Sequence, residues 1–199
     1  MKWFKKLAIA STLAATIFTF QIGAADADTS SHQVKSGETF WKISNQYGIP
    51  TAAIQKINNK KNFSLFAGEN LTIPHIPTSY ERELLARLVY AEAKGEPYAG
   101  KVAVATVVLN RVDSSLFPNS IQGVITERSA GGYYAFSPVS SGTINQAADA
   151  ESKRAVQEAL MFRGQGSGSI YFYNPKTAQS TWIKSRLITI KIGNHVFAR

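Results

Sequence analysis

The chain has 199 residues, room for one ordinary domain or two small ones. Hydrophobic residues make up 44% and charged residues 18%, so a core can be buried and a disordered polymer is excluded. Cysteine is absent, which removes a disulfide framework, a thiolate zinc site and a cysteine nucleophile together, and a net charge of +9 favours an anionic partner without naming it.

Lys2, Lys5 and Lys6 precede an uncharged stretch from Leu7 to Gly23 rich in Ala, Ile, Leu and Phe, the two leading regions of a secretory signal. Ala25-Asp26-Ala27 offers small residues at both positions a signal peptidase reads, so cleavage is expected after Ala27. An uncleaved anchor is the competing reading. The apolar run is slightly short of the roughly 20 residues of a full span, so no stable membrane insertion is expected after cleavage. The exported part keeps 19 basic against 12 acidic residues and no disulfide, so packing alone must hold it together.

Residues 32–74 read as a compact βααβ unit. A short strand begins at His32, Ser36 to Thr39 turns, and Thr39 caps a helix that places Phe40, Ile43 and Tyr47 on one face. Gly48 stops that helix, Pro50-Thr51 opens a second one with Ile54 and Ile57, and Asn58-Asn59 ends it. Leu65 to Gly68 turns back, and Asn70 to Pro74 closes with a strand. Val34-Lys35-Ser36-Gly37-Glu38-Thr39, Trp41-Lys42-Ile43-Ser44, Tyr47-Gly48-Ile49 and Leu71-Thr72-Ile73-Pro74 together resemble the LysM module. The resemblance implies binding of N-acetylglucosamine-containing glycans in a shallow groove formed by Gly37, Glu38, Thr39, Ile57, Asn58 and Asn59, with residues 65–68 near it. Phe40 stands where a leucine is usual in that family. Trp41 reads equally as a partly buried helix residue or a sugar contact.

Residues 75–79 form a linker and helix cap, short and extended between Pro74 and Pro77. Thr78-Ser79-Tyr80-Glu81 is a capping box. In the helix it starts, Leu84, Leu85, Leu88 and Val89 share a face, Glu83 and Arg87 pair on the other, and Glu92 points into the middle of the apolar stripe. Gly95 is the expected left-handed cap and Pro97 ends the ladder. Glu92 then sits in the last turn, where lost hydration and the negative end of the helix dipole both favour a carboxyl that keeps its proton. That is what protonating a glycosidic oxygen needs. A buried glutamate satisfied by a cation such as Arg111 is the competing reading.

The wording around it, Tyr90-Ala91-Glu92-Ala93-Lys94-Gly95-Glu96-Pro97-Tyr98 with Leu109-Asn110-Arg111-Val112, Phe136-Ser137-Pro138-Val139, Tyr171-Phe172-Tyr173-Asn174-Pro175 and Ile192-Gly193-Asn194-His195-Val196-Phe197, resembles the SleB and CwlJ type cell-wall hydrolases over residues 80–199. The resemblance implies an α+β chain: the small βααβ LysM module, then a lysozyme-like, mainly helical catalytic domain with a small antiparallel C-terminal sheet. It also implies attack on peptidoglycan between N-acetylmuramic acid and N-acetylglucosamine, with Glu92 as general acid/base. Glu96 competes for that role but falls outside the helix. Glu127 is the weak candidate for a second carboxylate; Asp113 lies in a turn, Asp149 reads as an N-cap, and Glu151 and Glu158 belong to a solvated helix.

Ordinary glycoside hydrolysis uses a carboxyl pair. The scarcity of a second acid leans toward lytic transglycosylase chemistry, in which the muramic acid 6-hydroxyl attacks its own anomeric carbon. A conventional muramidase-type hydrolase and a non-catalytic wall-binding or coat-structure protein are the alternatives. Phe136, Tyr173, Asn174 and Trp182 are the expected cleft residues, and alternation puts Tyr171 and Tyr173 on one side of their strand with Phe172 on the other. His195 is expected to be structural. No histidine or carboxylate cluster has metal-ligand spacing, so no metal and no cofactor are expected, and dispersed basic residues without a motif argue against nucleic acid. The expected partners are peptidoglycan strands, and the expected location is the cell wall or spore envelope.

Overall fold

A computed structural model describes residues 30–129 and 131–199, so the expected signal and its cleavage site lie outside the described residues. Strand β1 (Ser31–Gln33) is followed by α1 (Phe40–Tyr47), α2 (Thr51–Ile57) and β2 (Asn70–Thr72), and the two strands pair antiparallel with His32 opposite Leu71. Thr39 Oγ1 accepts the Lys42 amide to start α1, and Gly48, at φ 64°, ends it in the left-handed region that a side chain disfavours. Phe40, Ile43, Ile54, Leu71 and Ile73 are buried in one cluster. Asn58 closes the unit: its Nδ2 donates to the Thr72 carbonyl at 2.7 Å and its Oδ1 accepts the Thr72 amide at 2.8 Å, fastening the end of α2 to β2.

The second unit starts on the capping box. Thr78 Oγ1 accepts the Glu81 amide, and Glu81 accepts the Thr78 amide, opening α3 (Ser79–Ala93). Leu85, Leu88 and Val89 are fully buried and Leu84 partly so, while Arg87 Nε lies 3.4 Å from Glu83 Oε1 outside. Next comes α4 (Tyr98–Val112), buried on nearly every side, as a central helix must be. Helices α5 (Ile121–Thr126), α6 (Ser137–Ser141) and α7 (Ala150–Met161) surround α3 and α4, with a 3-10 turn at Thr143–Asn145. Asp149 does cap α7, accepting the Ser152 amide at 2.7 Å.

The chain ends in β3 (Tyr171–Tyr173), the short helix α8 (Thr181–Lys184), β4 (Ile188–Ile192) and β5 (His195–Ala198), an antiparallel sheet in the order β3-β5-β4. The architecture is therefore the small βααβ unit followed by a helical domain with a small C-terminal sheet. One expectation fails locally. Gly95 is not a left-handed cap: Lys94 ends α3 in right-handed geometry, and the turn closes when Glu96 donates its amide to the Ala93 carbonyl at 3.0 Å. The stop comes from Pro97, which begins α4.

Candidate active site

Glu92 lies in the last turn of α3, one residue from buried Ala93 and four past fully buried Leu88. Its side chain is only partly exposed. Loss of hydration alone raises its carboxyl from 4.5 to about 7, with no hydrogen bond or cation offsetting that cost. Arg111, the partner a structural reading requires, is committed elsewhere: its Nε donates to the Ile170 carbonyl at 2.8 Å, and its guanidinium packs on the rings of Phe117, Phe136 and Tyr171 at 5.0, 5.1 and 5.8 Å.

Glu96, four residues on, has the opposite fate. Its Oε2 accepts the Asn194 amide at 2.9 Å and its Oε1 accepts from Asn194 Nδ2 at 3.1 Å. Desolvation works against these bonds, yet their net effect holds the carboxyl below its ordinary value. Glu96 thus pins the β4–β5 turn to the α3–α4 turn. Gly193 permits the approach, because at φ 58° a β-carbon there would overlap the Glu96 carboxylate. Beside it, His195 is buried against Phe172 and Phe197. Burial lowers its proton affinity, with Glu96 opposing, and its Nδ1 has no partner.

The remaining carboxylates of this domain are nearly all occupied. Asp113 is held by buried Arg163, Glu151 by Lys101, Glu158 by the Tyr98 hydroxyl, Glu83 by Arg87 and Lys153, and Glu81 by His75 and Thr78. Burial lowers the proton affinity of Arg111, and the negative field of Glu127, just past α5, opposes that.

Pinning by Glu96 brings the sheet end carrying Tyr173, which is registered opposite Val196, beside the end of α3. Alternation along β3 holds: Phe172 packs inward on Phe136 and Phe197, whereas Tyr171 meets Phe117 and Trp182 on the other side. Trp182 is 52% exposed and edge-on to Tyr171 at 5.2 Å, with the Arg186 guanidinium 4.7 Å from its ring centre. Tyr173 keeps a partly open ring. One expected cleft residue is corrected, and a second also shapes its own turn. Phe136 is 3% exposed and belongs to the core, so its ring is not offered to a sugar. Asn174 spends its Oδ1 on the Lys176 amide at 2.9 Å, shaping the turn after β3.

The expected LysM groove residues divide in the same way. Glu38 Oε2 accepts the Lys35 amide and meets His32, Thr39 caps α1, and Asn58 is saturated by Ile54 and Thr72. Gly37 adopts φ 77° in the turn after β1 and accepts from Lys42 Nζ at 2.8 Å. Ile57 is partly exposed, and Asn59 is exposed at φ 53°. Trp41, Phe63 and Phe66 are each at least 70% exposed; Phe66 falls in the 65–68 turn expected near the groove, while Phe63 carried no signal in the sequence beyond being aromatic in a loop. The Arg111, Phe117, Tyr171 cluster was equally invisible, because its members come from separate elements.

The Cell Wall Hydrolase family profile matches residues 95–198 and the LysM domain profile residues 32–74. The chain is 43% identical over 126 residues to the spore cortex-lytic enzyme of Halalkalibacterium halodurans, covering 62% of this chain and 37% of that protein. To the spore cortex-lytic enzyme of Bacillus cereus it is 38% identical over 161 residues, covering 77% and 60%. It thus spans less than two thirds of either relative. Among solved structures, the catalytic domain of the germination-specific lytic transglycosylase SleB from Bacillus anthracis superposes with a TM-score of 0.57 at 39% identity, covering 64% of this chain and all of that domain.

Proposed function

The chain belongs to the cell wall hydrolase family, and from that premise we propose that it is a peptidoglycan-cleaving lytic transglycosylase that its LysM module holds on the wall, with Glu92 as its general acid/base. One observation carries the reading: an unpaired carboxyl at the end of α3 whose surroundings keep it protonated up to about pH 7. Protonated Glu92 donates to the oxygen bridging N-acetylmuramic acid and N-acetylglucosamine, and the glycosidic bond breaks with the electron pair leaving on that oxygen. The carboxylate so formed takes the proton of the muramic acid 6-hydroxyl as this oxygen closes on the anomeric carbon. The product carries a 1,6-anhydro end and Glu92 regains its proton, so one carboxyl serves as acid and then base.

Scarcity of a second free carboxyl supports transfer over hydrolysis. Asp113, Glu151 and Glu158 are engaged by Arg163, Lys101 and Tyr98. Glu96 is a positioning residue, since both its oxygens hold the Asn194 turn. Tyr173 and Trp182 supply open rings for sugar faces, and the LysM module engages N-acetylglucosamine units through Ile57 and Asn59. The basic balance of the chain suits an anionic wall, and the sequence reading of export places the enzyme there.

The test is digestion of purified spore cortex and vegetative sacculi by the parent chain and by Glu92→Gln, with muropeptides identified by mass spectrometry. Anhydromuramic ends from the parent and none from the variant are expected. Reducing ends without the loss of water reverse the assignment to hydrolase, and an active Glu92→Gln removes Glu92 from the mechanism.

A further inference from the structure

Two contacts join the LysM module to the helical domain, and a third fastens the linker beside them. Arg163, 1% exposed just after α7, donates from Nε and Nη2 to the two Asp113 oxygens at 3.0 and 2.6 Å, and from Nη1 to the linker carbonyl of His75 at 2.6 Å. Gly164, at φ 90°, lies so close to α2 that a β-carbon there would overlap the Ala52–Ala53 backbone. Lys56 Nζ donates to Asn110 Oδ1 at 3.0 Å. A buried guanidinium engaged on three sides, with backbone touching backbone beside it, is a fixed joint and not a tether.

A groove of about 720 Å³ opens along this seam, with Ile57 and Asn59 of the LysM module on one wall and Ser115, Phe117 and Ile170 of the helical domain on the other. From Phe117 a run of half-buried rings continues. Tyr171 lies 6.5 Å from Phe117 and 5.2 Å from Trp182. Tyr173 follows on the same side of β3, about 7 Å further along, at the sheet end that Glu96 fastens beside Glu92.

We infer that the groove between the modules is a further glycan-binding subsite, which joins the LysM groove to the catalytic cleft in one track for an N-acetylated glycan strand. The inference rests on the glycan-cleaving reading and takes it further: the substrate is a long strand gripped by both modules at once. The exposed Trp182 ring and the partly exposed Tyr173 provide stacking surfaces, and Asn59 and Ser115 provide amide and hydroxyl groups for acetamido and hydroxyl partners. Because the joint is fixed, the LysM module adds subsites in register with the cleft, and a strand reaching both gains affinity without new flexibility to freeze.

The test measures binding and needs no turnover. Titration calorimetry of the full chain carrying Glu92→Gln compares N-acetylglucosamine oligomers of four and eight sugars. The octamer is expected to bind more than about tenfold more tightly than the tetramer, beyond the few-fold that extra binding registers supply. Ser115→Trp, which fills the groove from an exposed position, and Gly164→Val, which forces the modules apart, are each expected to return the ratio to that few-fold level. Thermal melting confirms that each variant is folded. A ratio within a few-fold in the starting chain, or an unchanged ratio in folded Ser115→Trp, overturns the shared track. A chain that releases no muropeptides yet keeps the length-dependent ratio overturns the catalytic reading and leaves the track standing.

Discussion

Replacing Glu92 by glutamine should remove activity and, in alkaline solution, make the protein more stable. Burial raises the carboxyl from 4.5 to about 7, which at about 1.4 kcal/mol per tenfold change in proton affinity amounts to about 3 kcal/mol held against the charged form. Below pH 4.5 the group is protonated whether the chain is folded or not, and it costs nothing. Between 4.5 and 7 the unfolded chain releases the proton while the folded chain retains it, so stability falls as pH rises, and above 7 the full cost is present. Glutamine is neutral throughout. Urea unfolding of parent and variant should therefore give similar stabilities near about pH 4 and a gap of up to about 3 kcal/mol in favour of Glu92→Gln near about pH 8.5. Equal differences at the two pH values would mean that the carboxyl is hydrated or paired, and the acid mechanism would go with it.

Activity of the parent should hold below neutrality and fall above about pH 7 as the acid loses its proton, measured as turbidity loss of sacculi across a pH series. Glu96→Ala should cost about 1–2 kcal/mol by urea unfolding, from two hydrogen bonds to a charged acceptor, and should weaken turnover without abolishing it. Because the Glu96 carboxyl is held below its ordinary value, that stability is present at neutral pH and the gap to the parent closes on acidification through the lowered value. Arg163→Met should be far more costly, about 3–5 kcal/mol, since it strands the buried Asp113 carboxylate; a melting temperature within a few degrees of the parent counts against the joint described above.

Whatever local chemistry decides was readable in the sequence. The Thr78 and Glu81 box, the Thr39 and Asp149 caps and the stop at Gly48 each depend on residues within four positions, and the structure has all of them. Glu92 was legible for the same reason, since helical spacing alone carries it into the apolar stripe. Gly95 misled because a proline two residues later was enough to end the helix. Phe136 misled because nothing local separates a ring that lines a cleft from one packed on Phe172. That Asn58 also fastens α2 to β2 was not legible, its partner Thr72 lying fourteen positions away. Arg163 left no trace at all: its bonds reach back 50 residues to Asp113 and 88 to His75, distances over which sequence pattern carries no information.

Glu92 and Glu96 show how one helix end makes an acid from a residue type that is ordinarily ionised. Both stand near the negative end of α3, where the dipole disfavours carboxylate charge, and both lose hydration. The difference is one of donors. Asn194 gives Glu96 two N–H groups, enough to reverse the sign, while the apolar neighbours of Glu92 give none. The donors reach Glu96 because Gly193 lets the β4–β5 turn close against it, and that contact also sets the sheet, with its open Tyr173 ring, beside Glu92. On the proposed mechanism the ionised residue builds the cleft and the neutral one works in it. A donor introduced next to Glu92 should convert it toward the Glu96 state and lower the pH at which activity is lost, even where the fold is untouched.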